Sequence, residues 1–156
     1  MLWKRLSALA LTATIGTASA GQPSPPSLAE VARAIEARQP ATAQSVEAAT
    51  GAVLRCRDSS CEGGPVELRD VTIGNVDLRR AGGGSILVLE RISGSCVPPE
   101  AIAADALQAL PLNSCTDGAT CIYLRVERRW GRLSIGLPGD SKPPRCVESL
   151  VFNTLG

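Results

Sequence analysis

The first regular hydrophobic pattern along the chain has the period of an α-helix. Its apolar residues lie at Leu28, Val31, Ala32 and Ile35, which form one stripe on a helix surface. The segment begins with Ser-Leu-Ala-Glu at residues 27–30, where the serine hydroxyl can accept from the third helical amide while the glutamate reaches back. We therefore predict a helix that starts at residue 27 and ends at residues 38–39, before Pro40.

A second short helix is predicted between residues 41 and 50, because Gly51 follows where a left-handed C-terminal cap is usual. Beyond Gly51 the hydrophobic period changes from helical to alternating, which is typical of strands. We predict two short strands that are broken near Gly74-Asn75, followed by a turn at residues 82–84. Their inward residues are Val66, Leu68, Val71 and Ile73 in the first strand and Val76 and Leu78 in the second.

The most apolar run of the chain covers residues 86–92, where hydrophobic side chains occupy both odd and even positions. This pattern predicts a central strand that is covered on both faces. Pro98-Pro99 then opens a predicted helix over residues 99–110, which Pro111 stops.

The clearest alternation predicts a hairpin, with strands over residues 120–129 and 133–137 and a turn at Trp130-Gly131. The last apolar segment, residues 146–152, fits either a strand or a helix. A helix, a mostly antiparallel sheet and one inserted short helix predict an α+β domain, with a β-sandwich as the alternative. Residues 21–26 form a proline-rich, flexible lead-in, and residues 27–156 form one globular domain.

Residues 1–20 have the layout of an export signal. Lys4 and Arg5 precede an apolar run over residues 6–15, and small residues end at Ala18-Ser19-Ala20. The alternative is a membrane anchor, but the apolar run is shorter than the about 20 residues that span a bilayer. We predict a cleaved signal peptide, a periplasmic or extracellular location and no stable membrane anchor.

The six cysteines favour disulfide bonds, since export leads to an oxidising compartment. They are Cys56, Cys61, Cys96, Cys115, Cys121 and Cys146. Short spacing predicts the pairs Cys56–Cys61 and Cys115–Cys121, which leaves Cys96 with Cys146, one of many pairings that six cysteines allow. A metal site is the alternative, but the chain has no CxxC pair and no histidine.

The absence of histidine excludes Ser-His-Asp and Cys-His nucleophile systems and the HExxH metalloprotease pattern. The chain has 16 basic and 15 acidic residues, so it lacks the basic excess that nucleic acid or an anionic membrane requires. Gly82-Gly83-Gly84 has neither the lysine nor the spacing of a phosphate-binding loop. We therefore expect no cofactor and no metal.

A hydrolase that works with two carboxylates remains possible in principle. Its candidates are Glu90 and Glu127, each within a predicted strand. Strand alternation puts Glu90 on the same face as Ile86, Val88 and Ile92. An acid embedded in an apolar face can serve as a proton donor, because burial raises the pKa of a carboxyl group. The alternative is structural: an ion pair with a cross-strand arginine such as Arg125, or an acid that faces water.

Arginine and tryptophan concentrate around the turn of the predicted hairpin, at Arg128, Arg129, Trp130 and Arg132. A second pair, Arg79-Arg80, precedes another predicted turn. These residue types anchor many protein interfaces, because each offers a large planar contact area. The alternative is a solvated turn whose tryptophan folds onto the sheet.

We expect an exported, non-catalytic binding protein whose partner is another protein in the periplasm or medium. Its sharpest form is an inhibitor or immunity protein directed against a secreted or envelope hydrolase. The alternatives are a carboxylate-dependent hydrolase that acts on glycan or peptidoglycan, and a structural or ligand-binding domain of the envelope.

Overall fold

The computed structural model describes residues 21, 23–106, 122–139 and 145–155, and the backbone of residues 111–113. The predicted signal peptide, the predicted pair Cys115–Cys121 and residues 107–110 of the predicted inserted helix lie outside the described residues.

The first helix, α1 (Leu28–Glu36), begins as predicted. The Glu30 backbone N–H donates to the Ser27 hydroxyl at 3.3 Å, and the Ser27 N–H donates to the Glu30 carboxylate at 2.6 Å. All four residues of the predicted stripe are buried. The helix ends at Glu36, earlier than predicted, because the Arg38 N–H bonds to the Ile35 carbonyl and tightens the chain into a turn.

The second helix, α2 (Ala43–Thr50), is also confirmed, and Gly51 caps it with a φ of 77°. At its N-terminal cap, which was not predicted, Thr42 and Ser45 exchange hydrogen bonds. Between the helices, the Ala41 N–H donates to the Ser85 hydroxyl of a sheet strand at 2.9 Å. The two helices are therefore tied to the sheet through the segment that joins them.

In the part of the chain that the structure describes, nine strands form one sheet in which every pairing is antiparallel. The strands are β1 (Arg55–Arg57), β2 (Ser60–Gly63), β3 (Val66–Glu67), β4 (Val71–Ala81), β5 (Gly84–Gly94), β6 (Pro111–Asn113), β7 (Ile122–Arg128), β8 (Gly131–Leu137) and β9 (Ser149–Asn153). Their order across the sheet is β1-β2-β4-β5-β9-β8-β7-β6, and β3 also pairs with β4. The last segment of the chain is thus a strand, and it lies between β5 and β8.

The predicted strand break near Gly74-Asn75 is wrong, because β4 runs through this point without a change of register. The parity of the buried residues does change there, from Ile73 to Val76, and this shift is what suggested a break. Opposite it, Arg91 has a φ of 54° and approaches so closely that a Cβ on Gly74 would lie 2.8 Å from the Arg91 Cβ. The irregularity is a local kink in two paired strands.

The prediction that residues 86–92 are covered on both faces is also wrong. Leu87 and Leu89 are fully buried, whereas Ile86 and Val88 are half-buried. We call the buried side of the sheet the inner face and the other side the outer face. The largest fully buried residues of the inner face are Leu78, Leu87, Leu89, Leu133, Ile135, Leu150 and Phe152. They belong to the same core as the buried residues of α1 and α2.

The inserted helix is shorter than predicted, since α3 covers only Pro99–Ile102. Ala103 leaves the helical conformation with a φ of −142°, and the chain turns so that Ala106 is buried as well. Asp105 in this turn accepts two hydrogen bonds from Arg128 of β7. A contact across 23 residues therefore fixes a conformation that helical periodicity alone does not predict.

The described residues form two disulfides, Cys56–Cys61 and Cys96–Cys146, and both pairs agree with the prediction. The first bridges β1 and β2, and the second joins the end of β5 to the segment that leads into β9. Disulfides of this kind indicate an oxidising, extracellular-type compartment. Among the described residues, no helix is both long enough and apolar enough to span a membrane.

Candidate functional site

Three two-residue turns lie at one end of the sheet, which we call the hairpin end. The turns are Asp58-Ser59, Gly82-Gly83 and Arg129-Trp130. The strand register brings them together: Arg79 pairs with both Ser60 and Ile86. Asn153 in turn pairs with both Ile86 and Arg132. One cross-strand row thus runs beside all three turns, so the two arginine-bearing turns found in the sequence lie at the same end of the fold.

Within or beside each turn of the hairpin end lies an exposed arginine that forms no ion pair with any described residue. These arginines are Arg57, Arg80 and Arg129. Adjacent strands are about 4.8 Å apart, so the first and third turns are separated by about 24 Å across the sheet. Arg80 and Arg129 were predicted, whereas Arg57 was missed because the short hairpin that carries it has little hydrophobic pattern.

Trp130 is half-buried and packs against the core. Its ring centroid lies 6.2 Å from that of Phe152, which is fully buried on the inner face. Of the two alternatives that the sequence left open, the structure favours the one in which the tryptophan folds onto the sheet. Most of the indole is used in packing, and a direct contact with a partner stays a prediction.

Arg128, another predicted contact residue, is held by two carboxylates. Its guanidinium donates to both oxygens of Asp105, at 2.8 and 3.1 Å, and to Glu36 at 3.2 Å. The hydrogen bond with Asp105 raises the pKa of Arg128 and lowers that of Asp105. Only 21% of the Arg128 side chain is exposed, so it joins β7 to α1 and to the turn after α3.

The remaining predicted arginines are exposed but paired. Arg132 donates to Glu127 across the β7–β8 hairpin at 2.9 Å, and 40% of the Arg132 side chain is exposed. Arg79 donates to Asp77 on its own strand at 2.6 Å. This hydrogen bond raises the pKa of Arg79, whose side chain is 68% exposed. Both arginines lie on the outer face at the hairpin end.

Glu90 and Glu127 are not brought together as a pair of carboxylates. Strands β9 and β8 separate their strands, and the row of Glu127 meets β5 at Ile86, four positions from Glu90. Three strand spacings alone amount to about 14 Å, whereas paired catalytic carboxyl groups lie within about 10 Å. Glu90 accepts a hydrogen bond from Asn75 at 2.8 Å, so both acids have structural partners.

An open cleft of about 1500 Å³ lies beside the β1–β2 hairpin. Its walls come from the end of α2, from β1 and β2 and from Pro25-Pro26, and they carry both signs of charge in Arg55 and Glu62. Val53, which also lines it, is 80% exposed. An open cleft of mixed charge does not select a small molecule by shape, but it continues the surface that begins at Arg57.

The burial of Asp77 on the outer face was not predicted from the sequence. Asp77 is only 9% exposed, although strand alternation directs its side chain to the outer face, away from the inner face that holds its neighbours Val76 and Leu78. The signal was present in the sequence, since an acid between two inward residues of a central strand must lie on the sheet's other face.

Over the residues that the structure describes, no group of three or more histidine, cysteine or acidic side chains is arranged to hold a metal ion. Comparisons with protein-family models, curated proteins and solved structures found no match for this chain. The candidate site therefore depends on its geometry alone: a row of free arginines at the hairpin end, next to an outer face that no described helix covers.

Proposed function

We propose that this protein is an exported, non-catalytic binding protein whose hairpin end docks on an acidic surface of a secreted or envelope hydrolase. The observation that carries the proposal is the set of three exposed arginines, Arg57, Arg80 and Arg129, which lie within or beside three turns at one end of the sheet. An inhibitor or immunity protein is the form of this function that best fits a small exported domain.

The spacing of the arginines supports a macromolecular partner. Their turns span about 24 Å, which is close to the width of a standard interface patch of about 800 Å² per partner. A small molecule could contact one of these turns but not all three. Rigid two-residue turns also present the arginines with little loss of backbone entropy on binding.

Charge complementarity supports an acidic protein surface. The free arginines are cationic and hydrated, and a guanidinium pairs well with carboxylates because its donors match their geometry. Glycan hydrolases carry a pair of acidic residues at their reacting centre. A row of arginines is therefore suited to cover such a centre and to speed the encounter with it.

The export signal and the fold class complete the proposal. Cleavage after Ala20 would deliver the protein to the periplasm or medium, which agrees with its disulfides. The description α+β is supported by helices that share one core with a single sheet, where a β-sandwich requires two packed sheets.

The test compares two double variants of the tagged mature protein. Arg80→Ser with Arg129→Ser removes two free charges from the hairpin end. Arg33→Ser with Arg145→Ser removes two exposed charges elsewhere and is the matched control. Each protein is used to capture partners from the envelope and medium of the source cell, and the dissociation constant of any recovered hydrolase is measured at low and high salt.

We expect the hairpin-end variant to bind at least about tenfold more weakly, with a reduced salt dependence, while the control binds as the wild type does. We also expect the wild type to inhibit the recovered hydrolase stoichiometrically and to show no turnover of peptidoglycan or oligosaccharide. Equal binding by both variants, or turnover that Glu90→Gln abolishes, would contradict the proposal.

A further inference from the structure

A small hollow lies at the hairpin end, between the β4–β5 turn and the segment that joins α1 to α2. One wall consists of residues 40–42 and the other of residues 80–84, and the volume between them is about 340 Å³. Ligand pockets range from about 300 to 1,000 Å³, so this hollow accommodates one side chain rather than a large molecule. Arg80, one of the free arginines of the hairpin end, lines it.

The hollow exists because small residues lie on both of its sides. Gly82 and Gly83 form the turn, and a Cβ built on either of them would have no neighbour within 4 Å. Their φ values of 56° and 83° fit a two-residue hairpin turn in which glycine is common. Pro40 and Ala41 on the opposite wall are also small. The fold therefore leaves room at this point without any rearrangement.

Hydrogen bonds hold one wall in place, so the hollow is formed before anything binds. The Ala41 N–H donates to the Ser85 hydroxyl at 2.9 Å, and the Thr42 N–H donates to the Ser45 hydroxyl at 2.9 Å. The Thr42 hydroxyl in turn accepts from the Ser45 N–H at 3.1 Å. Because these polar groups are satisfied within the chain, a mostly apolar surface remains, together with the unpaired charge of Arg80.

We propose that this hollow receives an apolar side chain of the protein that docks on the hairpin end, and that a carboxylate beside that side chain pairs with Arg80. A concave apolar surface favours an apolar group, and a free guanidinium favours a carboxylate. An acidic residue followed by a leucine meets both requirements. This inference rests on the proposed function for the identity of the partner, and it adds the kind of residue that anchors the partner.

An anchor in the hollow would supply what the exposed arginines do not. Exposed charges are screened by salt, and they contribute more to the rate and orientation of the encounter than to affinity. Affinity is dominated by a few side chains that fill pockets away from water. A pocket that is already formed also avoids the entropy cost of ordering its walls on binding. We therefore expect the hollow to determine which acidic partner stays bound.

The test uses short peptides as probes, so it does not require the partner. N-acetyl-Asp-Leu amide is titrated into the full, oxidised mature protein, and the chemical shifts of the backbone amides are recorded. N-acetyl-Asn-Leu amide has the same shape without the charge. N-acetyl-Asp-Gly amide has the charge without the apolar side chain. Each control peptide thus removes one of the two features that the proposal requires.

Four variants at exposed positions complete the test. Ala81→Leu fills the hollow from its own wall, and Arg80→Ser removes the free charge. Ala48→Leu adds the same side chain on α2 and is the matched control for the first variant. Arg33→Ser removes an arginine of α1 and is the matched control for the second.

We expect N-acetyl-Asp-Leu amide to cause saturable shifts at Ala41, Ala81 and Gly83 in the wild type and in both control variants. Ala81→Leu with this peptide, and the wild type with N-acetyl-Asp-Gly amide, should show none. Removal of either charge should weaken binding about fivefold, since an exposed ion pair contributes little. Equal binding of the Asp-Leu and Asp-Gly peptides, saturable shifts in Ala81→Leu, or none in the wild type would each overturn the inference.

A recovered hydrolase partner gives a second measurement. Ala81→Leu should bind it at least about tenfold more weakly than Ala48→Leu does, because the hollow is then occupied. Equal binding by these two variants would overturn this inference and leave the proposed function standing. Failure to capture any hydrolase, with peptide binding intact, would contradict the proposed function alone.

Discussion

Leu150 and Val151 are neighbours in β9, yet Leu150 is fully buried on the inner face whereas Val151 is only half-buried on the outer face. The same contrast holds for Leu87 and Val88 in β5. The inner face is closed by a core to which α1 and α2 contribute, so its side chains provide most of the stability. The outer face carries rows of charged side chains, and its apolar residues are less buried than those of the inner face.

The largest expected effect comes from a substitution on the inner face. Leu150→Ala should lower the free energy of unfolding by about 2 to 5 kcal/mol, because it leaves a cavity between β5 and β8. Val151→Ala is the matched control on the outer face and should cost less than about 1 kcal/mol. Urea unfolding at equal protein concentration measures both values, and similar costs for the two variants would show that the outer face is packed as well.

Trp130 tests the boundary between the two faces, because it sits on a turn of the hairpin end but packs toward Phe152. Trp130→Ala should lower the free energy of unfolding by about 3 kcal/mol, at the lower end of the range for buried aromatic residues because the ring is only half-buried. Thermal and urea unfolding measure this loss. Weak partner binding by a variant of unchanged stability would instead identify Trp130 as a contact residue.

A smaller, pH-dependent effect on stability is expected at the ion pair between Arg128 and Asp105. Arg128→Met should cost about 1 kcal/mol at neutral pH, since the ion pairs that it breaks are partly exposed. The pKa of Asp105 is lowered in the folded state, so its pairing stabilises the fold above the ordinary value of 3.8 and is lost as the pH falls through the lowered value.

The stability difference between wild type and Arg128→Met should therefore shrink on acidification below pH 3.8. Urea unfolding at pH 7 and at a series of acidic pH values measures it. Arg132→Met, whose partner Glu127 is exposed, serves as the control and should change stability little at either pH. A difference that stays constant with pH would mean that Arg128 acts through the packing of its apolar stem.

Local signals in the sequence predicted the local structure well. The capping box at Ser27 and the αL glycine at Gly51 each involve residues within a few positions of one another, so both helices could be placed. The alternating hairpin of β7 and β8 and the position of the Gly82-Gly83 turn were found for the same reason. The two described disulfides followed from sequence spacing and elimination.

Long-range contacts account for what the sequence did not predict. The hydrogen bonds from Arg128 to Asp105 and Glu36 join residues that are 23 and 92 positions apart in the sequence, and hydrophobic periodicity does not predict such contacts. Glu90 shares the outer face with Ile86 and Val88 as predicted, but the kink at Arg91 puts Ile92 on the inner face, which parity counted across the kink did not predict. Only the strand order brings the arginine-bearing turns to one end.

The position of β9 has a consequence for how the chain folds. It is the last strand along the described sequence, yet it pairs with both β5 and β8 in the middle of the sheet. A nascent chain that has emerged only as far as β8 therefore holds two separate half-sheets, each with an open hydrogen-bonding edge. The sheet can close only when residues 149–153 arrive, which makes the incomplete chain a target for chaperones and proteases.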